Sequence, residues 1–343
     1  MRLVRLLAGV ILIKVALAAC QAPANQPSND TAAVSSAPAD CRVIAHEMGI
    51  TEVCGQPQRI VVFGPNILEP LLALNIQPMG YADQATFHQG DYTNPSQQIP
   101  YLGKHITQPI ANLGLFNTPS IEGIARVQPD LILGNDNNDY ETLSKIAPTL
   151  LIDRYDAEIS LRTIAQAVDR TEQAKQLLAQ REQQIAAAQA TFATLVATHP
   201  KVILPTSLNS QEVRLEGPAG PCSSLVKQLG FQLVLPPEIN RESIYSVPIS
   251  FETLPQLNDA DLIILLGYNF SDFGQLHNME RFEEQQLLKL KEAWKKNAIA
   301  QSLDASKAGQ VYSVPAYLCR GLPGPIGTDL YLKALEEQLL APN

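Results

Sequence analysis

The side chains best suited to chemistry stand just behind short apolar runs. In the first half these are Pro65 and Asn66 after RIVVF, the stretch Tyr81 to Gln84, Phe116 and Asn117, and the stretch from Asn135 through Asp136 to Tyr140. In the second half they are Ser207 and Asn209, Arg214, Tyr245, Tyr268 to Phe270, and Tyr317 to Arg320. Phenols, amides and guanidinium groups in such places suit a bulky ligand with aromatic edges and some negative charge. Rings stack on it, amides donate and accept, and an arginine grips an anionic oxygen. Covalent chemistry is poorly served. There is no GxSxG elbow, no GxxxxGK phosphate loop and no GxGxxG behind a strand. GLPGPIG near the C-terminus carries prolines where a phosphate cradle needs free N–H groups.

Some of these residues also have plainer readings. Arg214 is within reach of Glu212 or Glu216 for a surface salt bridge, and Tyr245 and Tyr268 are also of a type that packs half-buried. The histidines, His46, His88, His105, His199 and His277, form no HxH or HExxH pattern. His88 and His105 share one long polar segment, the only foothold for a metal-ion reading. The cysteines are Cys20, Cys41, Cys54, Cys222 and Cys319, with no CxxC spacing of the kind that holds zinc. Setting Cys20 aside leaves an even number and three ways of pairing them. Cys41–Cys54 is favoured, because RVIAHEMGITEV between them reads as a hairpin with Gly49 in its turn, and Cys222–Cys319 is then the remainder.

The elements that position these residues alternate. RIVVF, QPMGYAD, DLILG and TLLID are short strands in the first half, and KVILP, EVRLE, DLIILL and QVYSV in the second. Helical segments lie between most of them, among them ILEPLLALN, which Asn66 is placed to cap, and IEGIARVQ, which starts behind Ser120. Short apolar strands alternating with helices predict βα units and parallel sheets. Residues 84–112 read as a long loop. From Arg170 to Thr198 no proline or glycine interrupts a helical pattern, which predicts one helix of about 43 Å. It reads as a backbone joining two lobes. The phrases SIEGIARVQPDLILG and SFETLPQLNDADLIILLG echo each other across that divide, each with a glutamate, Glu122 or Glu252, near a helix start. A glutamate there is commonly dipole compensation alone.

The composition agrees with two globular units. The chain has 343 residues, 45% hydrophobic and 17% charged, which fits neither a disordered chain nor a coiled coil. Its net charge of -9 argues against nucleic acid and against electrostatic binding to a membrane surface. Residues 1–19 have a basic start (Arg2, Arg5), an apolar centre and the small-residue end Leu17-Ala18-Ala19, followed at once by Cys20. This resembles a bacterial lipobox, in which the cysteine is acylated and becomes the mature N-terminus. Residues 20–40, rich in Pro, Ala, Ser, Asn and Gln, then form a flexible tether. The expected domains are 41–155, an N-terminal α/β lobe, 156–199, the connecting helix, and 200–343, a C-terminal α/β lobe.

CRVIAHEMGITEVCGQPQRIVVF with LLALNIQPMG, then SIEGIARVQPDLILG, YETLSKIAPTL, SFETLPQLNDADLIIL and GQVYSVPAYLCRGLPGPIGTDLYLKALEEQL follow one another over residues 41–339. In that order they resemble the substrate-binding lipoproteins of ABC importers, of the helical-backbone type that carries ferric siderophores, haem or cobalamin. The resemblance departs at Asn75, where the family has glycine, and in the length of 84–112. It implies two Rossmann-like lobes joined by one long helix, with a ligand cleft between them and little lobe motion. It implies capture of an iron(III)-siderophore complex, no cofactor and no enzymatic activity. The alternatives are cobalamin or haem within the class, and a free zinc or manganese ion outside it. It implies a monomer anchored by lipid on Cys20 in the periplasm, delivering to permease and ATPase subunits at the inner membrane. Glu122 and Glu252 match the glutamates that dock on the permease. Arg320 stands where a hydroxamate-binding member has a ligand-contacting tyrosine, the alternative being a surface arginine beside a disulfide. Phe116 stands where that member has a clamping arginine, and a phenyl ring there only stacks.

Overall fold

A computed structural model of the chain describes residues 40–85, 87–135, 138–153, 156–208, 212–239, 243–268 and 282–340. The leader, Cys20, the tether before residue 40, Asp136, Asn209, Asn269, Phe270 and His277 lie outside the described residues.

The chain opens on an antiparallel hairpin, β1 (Cys41–His46) and β2 (Gly49–Cys54), with Cys41 directly opposite Cys54 and disulfide-bonded to it. The N-terminal sheet follows: β3 (Ile60–Phe63), β4 (Gly80–Asp83), β5 (Ala111–Leu115), β6 (Thr118–Pro119), β7 (Leu131–Gly134) and β8 (Thr149–Leu151), in spatial order β6-β5-β4-β3-β7-β8. All its pairs are parallel except β5–β6. Behind Arg59, β3 is apolar at all four positions because both of its faces are covered. Ile60 and Val62 enter one core with Leu68 and Ile164, and Val61 and Phe63 enter another with Ile124. The helices between are α1 (Pro65–Ala73), α2 (Pro95–Gln98), α3 (Ile121–Val127) and α4 (Tyr140–Leu143).

Next come α5 (Ala157–Ala167) and the 28-residue α6 (Thr171–Thr198), about 42 Å long at 1.5 Å per residue. Its first turns bury Ala174 in the N-terminal core, while Ile185, Ala188 and Phe192 are buried in a C-terminal one. One helix thus belongs to both lobes.

The second parallel sheet has the order β12-β9-β14-β15, made of β9 (Lys201–Ile203), β12 (Gln232–Leu233), β14 (Leu262–Gly267) and β15 (Val311–Pro315). β14 repeats the logic of β3: Leu262, Ile264 and Leu266 face one core, Ile263 and Leu265 the other. A small antiparallel sheet of β10 (Pro205–Leu208), β11 (Val213–Glu216) and β13 (Ser246–Ile249) adds to this lobe. The helices are α7 (Pro221–Gln228), α8 (Phe282–Lys296), α9 (Ala298–Ser302), α10 (Asp304–Lys307) and α11 (Pro325–Leu339). Cys222 in α7 is disulfide-bonded to Cys319 in the turn after β15.

Four expectations change. Asn66 does not cap α1: Gly64 holds the cap position at φ 94°, Pro65 starts the helix, and Asn66 lies inside its first turn. That left-handed φ, and the approach of the Asn66 side chain to where a Cβ would stand, both call for glycine. Residues 84–112 are not an open loop. The segment folds as α2, the turn Gly103–His105 and the start of β5, and buries Tyr92, Ile99 and Leu102 in the N-terminal core. The helix expected to start near Glu252 shrinks to the turn Leu254–Leu257. EVRLE pairs antiparallel on both sides instead of joining the parallel sheet. No helix among the described residues is long and apolar enough to cross a membrane.

Candidate functional site

The carboxyl ends of both parallel sheets open onto a cleft of about 430 Å³, where open α/β sheets present their ligand sites. Its N-terminal wall is Asn66 in α1, Gln84 after β4, Phe116 after β5 and Asn135 after β7. Its C-terminal wall is Glu216 at the end of β11, Pro221, Tyr245 and Ser246, Tyr268 after β14, and Arg320 and Gly321 after β15.

Asn66 Nδ2 is buried and has no hydrogen-bond partner among the described residues, so a donor is left at the cleft wall for a ligand to meet. Gln84 and Tyr268 join the walls: Gln84 Nε2 donates to Tyr268 Oη at 2.7 Å, and the hydroxyl lies 3.0 Å from Gln84 Oε1, which accepts from it. Beneath them Asp83 is buried. Its Oδ1 accepts from Tyr81 Oη at 2.8 Å and from the Gln84 N–H at 2.6 Å, and its Oδ2 has no partner among the described residues. Burial raises this carboxyl to about 7 against the pull of those two donors.

The charge of the site is an ion pair. Arg320 Nε donates to Glu216 Oε2 at 3.0 Å, and Nη2 donates to the same oxygen. Glu216 Oε1 accepts from the Cys222 N–H at 3.3 Å. Burial pushes the Glu216 carboxyl up, and Arg320 opposes the shift. The guanidinium carbon lies 5.9 Å from the Tyr268 ring centroid, within cation–π range.

The structure therefore brings Asn66, Gln84, Phe116, Asn135, Tyr245, Tyr268 and Arg320 together. It places others elsewhere. Tyr317 is fully buried, its ring 5.8 Å from Tyr101 and 5.2 Å from Phe282, in the core that joins the lobes. Tyr140 closes the hairpin onto the sheet, 3.3 Å from Thr51 Oγ1 and 5.4 Å from the His46 ring. Arg214 is exposed and paired with Glu212 at 2.8 Å, and Asn117 is exposed in the β5–β6 turn. Glu122 and Glu252 are exposed. His88 bonds Gln98 at 2.8 Å, while His105 lies in a separate groove with Lys104 and Asp329. Among the described residues one group offers three metal-ligand atoms, Cys41, Glu52 and Cys54, and both of its sulfurs are in the disulfide.

Glu216, Pro221, Ser246 and Gly321 also line the cleft. The cue for Glu216 is its place at the end of a strand before the small-residue turn GPAGP, but its partner Arg320 is 104 residues away and no spacing reveals the pair.

The periplasmic binding protein family matches residues 60–318, and the chain belongs to that family. YhfQ of Bacillus subtilis, whose name places it with ABC transporter substrate-binding lipoproteins, is 26% identical over 97% of this chain and 96% of its own. The Fe(3+)-citrate-binding protein YfmC of the same organism is 27% identical over 88% of each. The fold is also that of Staphylococcus aureus SirA, solved with staphyloferrin B: TM-score 0.66, 22% identity, 86% of this chain and 97% of that one.

Proposed function

We propose that the protein captures a ferric chelate, a siderophore or citrate-type complex, between its lobes and hands it to an ABC permease at the inner membrane. The cleft at the facing strand ends carries this reading, with aromatic rings, amide donors and one arginine around a space sized for a small-molecule complex. Two relatives support it by their names, one for ABC substrate binding and one for Fe(3+)-citrate. The iron arrives already wrapped, so the wall supplies hydrogen bonds and stacking rather than metal ligands. Phe116, Tyr245 and Tyr268 are the stacking surfaces, and Asn66, Asn135 and Arg320 the donors. Cys20 carries the lipid that holds the monomer in the envelope, and the exposed Glu122 and Glu252 dock on the permease.

Isothermal titration of the purified protein tests this against ferric hydroxamate, catecholate and citrate chelates, cobalamin, haem, zinc and manganese. Saturable binding of a ferric chelate, with none of bare metal, is expected. Binding of zinc or manganese alone overturns the reading, and cobalamin or haem alone moves it to another ligand of the same cleft.

A further inference from the structure

The ion pair in the cleft wall is unevenly exposed. The Arg320 side chain keeps 25% of its surface exposed while that of Glu216 keeps none. The carboxylate stands behind the guanidinium, and a ligand in the cleft meets the arginine first. Arg320 Nε and Nη2 both donate to one oxygen of Glu216. A guanidinium has five donors, so those of Nη1 and the second on Nη2 are left for a ligand, among the described residues.

Glu216 is itself held in place. The Cys222 N–H binds its other oxygen. A Cβ at Gly220 would overlap the carboxylate, so the backbone turn closes on it from the opposite side. The Cys222–Cys319 disulfide ties this donor to the residue next to Arg320. Positioning an arginine this firmly reduces what a ligand must order on binding. A buried anion at bonding distance also cancels most of the field that the arginine projects into the cleft. Among the described lining residues, Glu216 and Arg320 are the charged ones, so together they contribute a dipole and no net charge.

We propose that Glu216 is a specificity-determining residue of the cleft: it fixes the Arg320 guanidinium and neutralises its charge, so that chelates of low net charge are preferred over strongly anionic ones. This rests on the reading of the cleft as a ferric-chelate site.

The test compares a neutral ferric trihydroxamate with anionic ferric dicitrate by calorimetry, on the wild type, Glu216→Gln and Glu216→Gln/Arg320→Gln. The expected result for Glu216→Gln is a tenfold or larger shift of the affinity ratio toward dicitrate, with a steeper loss of dicitrate binding as salt rises. The double variant, again without net charge at the pair, is expected to return to the wild-type ratio at lower affinity for both probes. A purely structural role predicts instead that both probes weaken equally in Glu216→Gln and that the ratio never moves. That result overturns the proposal, as does a wild type that already prefers dicitrate. If neither probe binds any of the three proteins while a catecholate, cobalamin or bare metal binds the wild type, the choice of chelate or the chelate reading itself has failed, and the proposal falls with it. Matching circular dichroism and melting curves establish that the variants compared are folded.

Discussion

The two walls of the cleft follow one plan and differ in chemistry. On the N-terminal side Asn66, Gln84, Phe116 and Asn135 hang from consecutive strand ends of one sheet, and none is charged. On the C-terminal side the wall is drawn from two sheets, carries the ion pair, and is stapled by a disulfide. Apart from Gln84, which is bonded across the cleft to Tyr268, one wall is a set of neutral groups on different strand ends, the other a connected unit in which Glu216, Arg320, Tyr268, Cys222 and Cys319 depend on one another. A wall of the first kind should respond to substitution residue by residue, and one of the second kind all together.

The largest effect is expected from Arg320→Ala. It removes charge-assisted donors from the ligand, worth about 1.5–3 kcal/mol each, and a loss of about 100-fold in chelate affinity should follow. It also leaves Glu216 buried without its cation, for which breaking a buried pair costs about 3–5 kcal/mol. Calorimetry should therefore show weak binding and thermal unfolding a lower Tm. Unchanged stability would mean that the two residues are not coupled.

The disulfides separate the walls next. Cys222–Cys319 closes 97 residues, and its loss costs about 4–5 kcal/mol on the chain-entropy account. The Cys222→Ser/Cys319→Ser variant should lose stability and also chelate affinity, because both ends of the ion pair lean on that link. Cys41–Cys54 closes only 13 residues, in a hairpin that contributes none of the described lining residues of the cleft. Its removal should cost about 3 kcal/mol and leave affinity unchanged. Equal effects on binding would erase the proposed difference.

How much of this was legible follows the range of the interactions. Strands buried on both faces announce themselves by composition, as RIVVF and DLIILL do, and the uninterrupted stretch before Pro200 announces α6. The rule that ligands sit behind strand ends selected Asn66, Phe116, Asn135, Tyr245, Tyr268 and Arg320, which line the cleft. It failed where a residue after a strand is used for packing. Tyr317 follows β15 directly yet fills the joint between the lobes with Phe282 and Tyr101. It also undervalued 84–112, whose polar composition hides Tyr92, Ile99 and Leu102, three widely spaced core residues without a period. Arg214 beside Glu212 and Glu216 invited a local pairing, and the structure gives it Glu212 while Glu216 goes to Arg320. Partners a hundred residues apart leave no trace in spacing.

Where the lobes meet behind the cleft, GLPGPIG supplies a cradle for a carboxylate of the protein itself. Glu69 of α1 is fully buried, and its Oε1 accepts from the Ile326 N–H at 2.6 Å at the start of α11. A Cβ at Gly324 would overlap it, and Arg181 of α6, bonded to Thr328 at 3.0 Å, is the cation that draws its proton off. Burial outweighs those donors and raises the carboxyl from 4.5 to about 7. A raised acid pKa means that the folded state holds the proton more tightly. The stability it contributes is present below about pH 4.5 and is lost as pH rises through about 7, on the order of 3 kcal/mol in all. Glu69→Gln should flatten that part of the Tm profile between pH 5 and 8, leaving the slope due to Asp83. An identical slope in the variant would remove Glu69 from the joint.

The smallest effect tests the neutral wall, and its sign matters more than its size. Asn66 Nδ2 is buried without a partner among the described residues, and in the free protein an unmet buried donor costs about 1–3 kcal/mol of desolvation. Asn66→Ala removes that cost along with some packing, and the free protein should lose little stability or gain some. A ligand oxygen that satisfies the amide reverses the balance, and chelate affinity should fall about tenfold, one hydrogen bond's worth. Unlike Arg320→Ala, this variant should leave the dependence on every C-terminal residue as it was, so that the double variant Asn66→Ala/Arg320→Ala loses the sum of the two single effects. A double variant that departs from that sum by more than about 0.5 kcal/mol would make Asn66 part of the connected C-terminal unit.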